Sequence, residues 1–485
     1  MNTVQEVLNV KGVRRAACAI AMLAIGSSVA SGQDATRPAV GPERPFQLAP
    51  RVEKMLPNGL RVVISPQAAV PKVSLTLVVL SGLAADPAEL PGLAAITSDA
   101  VQEGTKTRSS REIRSQAFAM GGSLTATAVQ DFTSLSIRGL SEFTPELLAL
   151  LGDVAMNPTF PDQEIGIIKQ QRLQSVSQQK ASPQFLANWE FRRALFGSHP
   201  YARITETAES IQAIDRARIE AFHKGHYLPN NAFLLIVGAV DPGTAMATAE
   251  KVFGGWAKGT VQKPTFTPPP PLSGKRVVFI QRPNSVQSSI SVGNFGAKRA
   301  DPRWYQMTVT NTVFGGAFNS RIVKNIREEK GYTYSPFSGF SMFADAGFYR
   351  FAADVRNEVT GATLAEVYKE IDKMRADGSS GAELEGTKQY LRGTFAIATA
   401  TQNGLSTLLT TVYAFELPKD YPETYRAKIA AVTPGQVKEM AGTFLGSDNS
   451  VIVIVGDYTK VKDQLTGFKD ITFLDVDGKK IEPPK

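Results

Sequence analysis

The sequence of 485 residues has a single cysteine, Cys18, and only three histidines. One cysteine excludes an intrachain disulfide, and so few thiol and imidazole groups leave little from which a Cys/His metal centre could be built. No internal apolar run approaches the roughly 20 residues that a membrane-crossing helix needs, so no transmembrane segment is expected. Basic runs and basic-aromatic interleaving are also absent, which argues against nucleic acid as a partner. The formal charge of +8 reads as a well-solvated basic surface. With 43% hydrophobic and 20% charged residues, the composition is that of an ordinary globular chain, too long for one hydrophobic core.

What is present begins at the N-terminus. Lys11, Arg14 and Arg15 precede an apolar stretch from Ala16 to Ile25, and the small residues SSVASGQ follow. This layout predicts a signal peptide over residues 1–32, cleaved near Ala30 or Gly32, and hence a periplasmic or secreted protein. Cys18 follows RRAA rather than an apolar lipobox, so a lipid anchor is not expected, and cleavage leaves no cysteine. It also removes three positive charges and one negative, lowering +8 to +6.

The remainder reads as a duplication. Thr265–Gly274, TFTPPPPLSG, contains four consecutive prolines that favour polyproline II over helix or central strand. On either side the chain repeats itself without a gap, from Glu209 and from Ala427. Ile211 falls on Ile429, Ile214 on Val432, Ile219 on Val437, Phe222 on Met440, Tyr227 on Leu445, Asn231 on Asn449 and Gly238 on Gly456. Asp215 and Thr433 stand at N-cap positions, and each copy runs through a turn into a strand, AFLLIVG or SVIVIVG. RVVIS, KVSLTLVVLSG, KRVVFIQ and SSISVGNF also read as strands. Leu364, Val367, Ile371 and Met374 form the apolar stripe of a helix. The expectation is an α+β chain of two homologous domains, 46–264 and 275–473, joined by the Pro-rich linker 265–274. Each would be a mostly antiparallel sheet packed with helices.

Several motifs occur in a fixed order: LPNGLRVVI (56–64), LPGLAAITSDAVQEGT (90–105), FGSHPY (196–201), YLPNNAFLLIVGAVD (227–241) and GGAFNSRIVKNIREEKGYTYSPFS (315–338). Their order and spacing resemble the pitrilysin/insulinase family of zinc metallopeptidases, in particular its mitochondrial-processing-peptidase-like branch. The resemblance covers about Phe46 to Phe473. It implies two homologous α+β domains facing another subunit across a chamber. Active members carry His-x-x-Glu-His on a helix, with two zinc-ligating histidines one turn apart, a glutamate that activates water, and a further acidic ligand on a later helix.

In this sequence the five motif positions fall on Ala95, Ile96, Thr97, Ser98 and Asp99. The histidine positions are Ala95 and Asp99, the general-base position is Ser98, and the third-ligand position falls near Ser175. No carboxylate occurs between Glu164 and Glu190. No zinc is expected in this chain. His223 and His226 lie three residues apart but have no third ligand nearby and read as helix-end residues; His199 reads as a structural loop residue.

In the second half, NIREEKGYTY places Arg327 and Tyr334 seven residues apart, as in the Arg/Tyr pair that active relatives use to hold substrate and stabilise the oxyanion. A guanidinium offers a planar donor fork to a peptide carbonyl or carboxylate, and a phenol donates to developing negative charge. Arg321 and Tyr332 are neighbouring candidates. The resemblance implies a non-zinc subunit of a heterodimeric peptidase acting on oligopeptides, inactive alone. Its partner would be a homologous subunit with an intact His-x-x-Glu-His motif that carries the zinc. The alternative is a non-catalytic scaffold or peptide-binding protein of the same fold.

Overall fold

A computed structural model describes residues 46–261 and 266–484. The signal-peptide segment 1–32 and Thr265, the first linker residue, lie outside the described residues. Two six-stranded sheets carry the architecture. The first contains β1 (Val52–Met55), β2 (Arg61–Pro66), β3 (Lys72–Val79), β4 (Ser123–Ala128), β5 (Thr133–Leu140) and β6 (Ala232–Gly238), in the order β1-β2-β6-β3-β5-β4. The second contains β7 (Lys275–Gln281), β8 (Gln287–Gly296), β9 (Phe337–Met342), β10 (Gly347–Arg356), β11 (Ser450–Gly456) and β12 (Thr472–Leu474), in the order β12-β7-β11-β8-β10-β9.

The duplication is visible strand by strand. In both sheets a parallel pair (β2 with β6, β7 with β11) is followed by antiparallel pairings across β3, β5 and β4 or across β8, β10 and β9. The helices before the matching central strands, Arg216–His226 and Pro434–Phe444, start alike. Asp215 accepts from the Arg218 amide and Thr433 from the Gln436 amide, each satisfying a free donor of the first turn.

The central strands show how the halves fit together. Every residue of β6 and β11 is buried, as their continuous apolar runs require when both faces of a sheet are covered. Leu234 and Ile236 face the first half's own helices. The opposite face, where Phe233 lies 5.8 Å from the Tyr413 ring, is covered by the helix Gln402–Ala414, which belongs to the second half. The converse holds in the second sheet. Helix Pro183–Phe196, from the first half, buries Leu186, Phe191, Leu195 and Phe196 against Val278, Ile280, Val451, Val453 and Val455. A Cβ at Gly293 would stand 2.8 Å from Phe191 Cζ, so the crossing needs glycine there. Each half thus lends one helix to the other, and Gln47–Lys485 forms a single compact unit.

The FGSHPY segment ties the same junction. Tyr201 Oη donates to Asp131 Oδ1 (2.5 Å) and accepts from the Asp345 amide (3.1 Å), while Asp131 Oδ2 accepts from the Ala344 amide (3.0 Å). His199 Nδ1 accepts from the Tyr201 amide (3.1 Å), so its Nε2 carries the proton toward Asp345 Oδ2 (3.1 Å). Among the described residues no helix is long and apolar enough to cross a membrane.

Candidate functional site

Helix Leu93–Ala100 is buried almost throughout. Its start depends on Gly92, at φ +98°, where a Cβ would also lie 2.1 Å from Glu206 Cγ; only glycine accepts both the left-handed backbone and the close approach. No local side chain caps the helix. Asp86 does so from outside, its carboxylate accepting from the Gly92 and Ala94 amides at 2.7 Å each. Burial pushes the Asp86 carboxyl up to about 7, against the pull of the two amides.

Ala95, Ser98 and Asp99 line a cavity of about 290 Å³ together with Arg172, Arg203 and Glu206. Ser98 Oγ turns back to donate to Ala95 O (2.8 Å). Asp99 Oδ2 accepts from Arg172 Nε (2.8 Å) and Nη2 (2.6 Å), and Arg172 Nη1 donates to Glu206 Oε1 (2.9 Å). Arg172 therefore lies between two carboxylates at the place where the family resemblance puts a metal. Burial raises the Asp99 carboxyl, with Arg172 opposing the shift. Ser175 lies on the same helix, Asp162–Ala181, one turn beyond Arg172, and its Oγ meets Gln179 Nε2 at 3.5 Å.

This donor set does not fit zinc. It offers no imidazole, and the guanidinium already satisfies both carboxylates with its own fixed positive charge. Among the described residues no group of three or more His, Cys, Asp or Glu side chains is placed to hold a metal ion. The three histidines are each engaged elsewhere: His199 at the junction of the halves, His223 through Nε2 with Ala155 O (2.9 Å), and His226 through Nδ1 with Ser81 Oγ (3.0 Å). Burial draws the His223 imidazole down to about 4.

Arg172 and Glu206 are the residues that sequence reading missed. Arg172 had a usable signal, since it stands three residues before Ser175 and so shares its helix face. Glu206 had none, because it enters from the loop ahead of helix Ala208–Ala213.

The second group is built on irregular backbone. Arg327 sits in a π-helical stretch, Val323–Glu329, an arrangement enriched at functional sites. Asn325 Nδ2 anchors that stretch to Glu366 Oε2 (2.8 Å) and Glu370 Oε1 (2.9 Å). The chain then folds back, the Tyr332 amide donating to Ile326 O (2.9 Å), with Gly331 at φ +62°. This return brings Tyr334 over Arg327. The guanidinium carbon lies 4.3 Å from the Tyr334 ring centroid and 4.6 Å from that of Phe318.

Both rings are largely exposed, Tyr334 at 78% and Phe318 at 67%. No hydrogen bond or ion pair joins Arg327 to a described side chain, so its N–H edge is open. Tyr334 also borders a cavity of about 350 Å³ with Tyr332, Asp354 and Arg356. Arg321, the neighbouring candidate, is consumed by structure: Nε and Nη2 grip Glu383 (2.8 and 2.7 Å) and Nη2 also reaches Gly378 O (2.8 Å). The structure thus brings Arg327 against Tyr334, which lines one cavity, and Ala95 together with Ser98 and Asp99 in another, and the two cavities share no lining residue.

Comparison with known proteins follows this division. Residues 61–209 match the family model described as insulinase (peptidase family M16), and residues 213–391 match the model described as peptidase M16 inactive domain. An uncharacterised zinc protease of Streptomyces coelicolor is 25% identical over 407 residues, 82% of this chain and 88% of the relative. One of Rickettsia bellii is 27% identical over 345 residues, 71% and 82% of the two chains. Among solved structures, a peptidase M16 inactive domain of Pseudomonas fluorescens superposes with a TM-score of 0.79 at 28% identity, covering 84% of this chain and 98% of that one. The periplasmic protease PqqL of Escherichia coli shares the fold, with a TM-score of 0.73 at 15% identity, over 87% of this chain and 49% of its own.

Proposed function

The chain belongs to the pitrilysin/insulinase (M16) family, and on that premise we propose that it is the zinc-free subunit of a heterodimeric peptidase of the periplasm or extracellular space. It presents Arg327 and Tyr334 to peptides held against a homologous partner that carries an intact His-x-x-Glu-His motif. The observation that carries this reading is the state of the two guanidiniums. Arg172 is neutralised by Asp99 and Glu206, whereas Arg327 is held between two rings with its donors free.

The chemistry required of this chain is modest. Ring stacking fixes the plane of Arg327 without using its N–H groups, which leaves the fork free for a peptide carbonyl or carboxylate. Tyr334 can donate its phenolic proton toward negative charge developing on the same peptide. Periplasmic location rests on the N-terminal sequence, and oligopeptides are the substrate class implied by an enclosing two-subunit chamber.

The test is copurification from the native host, followed by metal analysis and peptide cleavage by the complex and by each subunit. Hydrolysis by the isolated chain with stoichiometric zinc would overturn the proposal. A copurified complex that binds peptides and never cleaves them would favour the scaffold reading instead.

A further inference from the structure

A cavity of about 430 Å³ opens among the loop 299–303, the start of helix Trp304–Asn311, and helix Tyr421–Ala430 with its flanking residues. It includes neither Arg327 nor any residue of the Asp99 cluster. Three rings form its walls. Tyr305 stacks on Tyr421 (centroids 5.7 Å apart, planes at 29°), and Trp304 stands edge-on to both, at 5.2 and 5.7 Å.

Two cations meet those rings. Arg299 is only 8% exposed; its guanidinium carbon lies 4.3 Å from the Trp304 ring and 5.3 Å from Tyr421, and Nη2 donates to Tyr421 Oη (3.0 Å). Lys428 Nζ lies 5.1 Å from the Tyr305 centroid. Neither forms an ion pair with a described residue. The acid that lines the cavity, Asp301, is committed to Arg303 through Nε (3.1 Å), Nη2 (2.9 Å) and the backbone amide (2.8 Å). A nine-tenths-buried guanidinium with no carboxylate partner is costly unless an anion comes to it. Gln306, also in the lining, has a buried Oε1 with no donor.

We propose that this cavity binds an N-acyl aromatic amino acid through its free carboxylate, as a compound in its own right or as the C-terminal residue of a peptide. The carboxylate pairs with Arg299 and Lys428, the adjacent amide N–H supplies the donor that Gln306 lacks, and the ring packs on the aromatic walls. The volume suits one such residue. The proposal requires neither zinc nor a partner subunit, so it stands or falls apart from the function proposed above.

The test titrates the isolated chain with N-acetyl-L-phenylalanine and with N-acetyl-L-phenylalaninamide, following tryptophan fluorescence and binding heat. The acid should bind saturably with a Kd below about 1 mM, and the amide at least about tenfold more weakly, because a charged hydrogen-bonded contact is lost. Arg299→Leu should abolish binding, and Lys428→Met should weaken it several-fold. Equal binding of acid and amide, or no saturable binding of the acid by folded wild-type protein, would overturn the proposal. Should Arg299→Leu fail to fold, the acid–amide pair and Lys428→Met still decide. A peptide ending in phenylalanine identifies the source: tighter binding than the N-acetyl acid assigns the cavity to peptide termini, and equal or weaker binding assigns it to the free compound.

Discussion

Arg172 reaches Asp99 through both Nε and Nη2, at 2.8 and 2.6 Å, and joins helix Asp162–Ala181 to helix Leu93–Ala100. Both side chains are about 30% exposed, at 28% and 31%, so the contact is a partly desolvated ion pair rather than a surface one. In this chain a guanidinium joins the two helices on which the family resemblance would place the metal ligands.

Replacing Arg172 by methionine should therefore destabilise the chain by about 1–3 kcal/mol, since it leaves Asp99 and the buried Glu206 without their cation. Chemical denaturation monitored by circular dichroism measures this. Stability equal to wild type would show that the pair contributes nothing.

Restoring a metal site requires more than restoring its ligands. The variant Ala95→His/Ser98→Glu/Asp99→His/Ser175→Glu should bind zinc poorly, because Arg172 remains in the cavity. Two unit charges 4 Å apart repel by about 4 kcal/mol at an effective dielectric near 20, and zinc is divalent. Adding Arg172→Leu should tighten zinc at least about tenfold by isothermal calorimetry; indifference to residue 172 would remove its assigned place.

Phe318 forms one face of the stack around Arg327. In the assembled peptidase, Arg327→Ala and Tyr334→Phe should lower turnover without preventing assembly. Phe318→Ala should lower kcat/KM by roughly two- to fivefold, the loss of one exposed cation–π contact. Unchanged kinetics in all three would withdraw the site.

Asp86 should give a pH signature. Its folded carboxyl titrates near 7 rather than near 4, so between those values the folded chain binds the proton that the unfolded chain has released. Stability contributed by this group then rises as pH falls from about 7 toward 4. Carbon-detected NMR should find one aspartate with a midpoint near 7 that vanishes in Asp86→Asn. The stability advantage of wild type over that variant should widen on acidification.

The exchanged helices predict that the halves do not fold alone. Residues 46–264 expressed separately expose Leu186, Phe191 and Phe196, which are fully buried in the intact chain, and should aggregate or remain molten. Coexpression with 266–485 should restore a folded complex. A soluble, cooperatively melting N-terminal half would contradict this.

Much of this was legible beforehand because it is local or periodic. The apolar runs of β6 and β11 announced strands, the caps at Asp215 and Thr433 announced helices, and the repeat announced two like halves. The Arg327–Tyr334 spacing was readable as a pair, yet its geometry was not: a π-helical turn and the reversal at Gly331 bring the ring over the guanidinium, and Phe318 joins from outside the motif. At the degenerate motif, the loss of imidazole was plain from Ala95 and Asp99. The cation that stands there instead could be read only from the helix face Arg172 shares with Ser175, and its second carboxylate was hidden, because Glu206 enters from a loop 34 residues further along the chain.

The sequence by itself determined the elements, their duplication and the absence of a zinc donor set, since these follow from side-chain type, periodicity and backbone preference. Only the tertiary structure decided which helix covers which sheet, which carboxylates hold Arg172, and that Arg299 lies buried among rings without an acid. Those outcomes depend on packing between segments far apart in the chain, where desolvation and close approach select partners that no local pattern encodes.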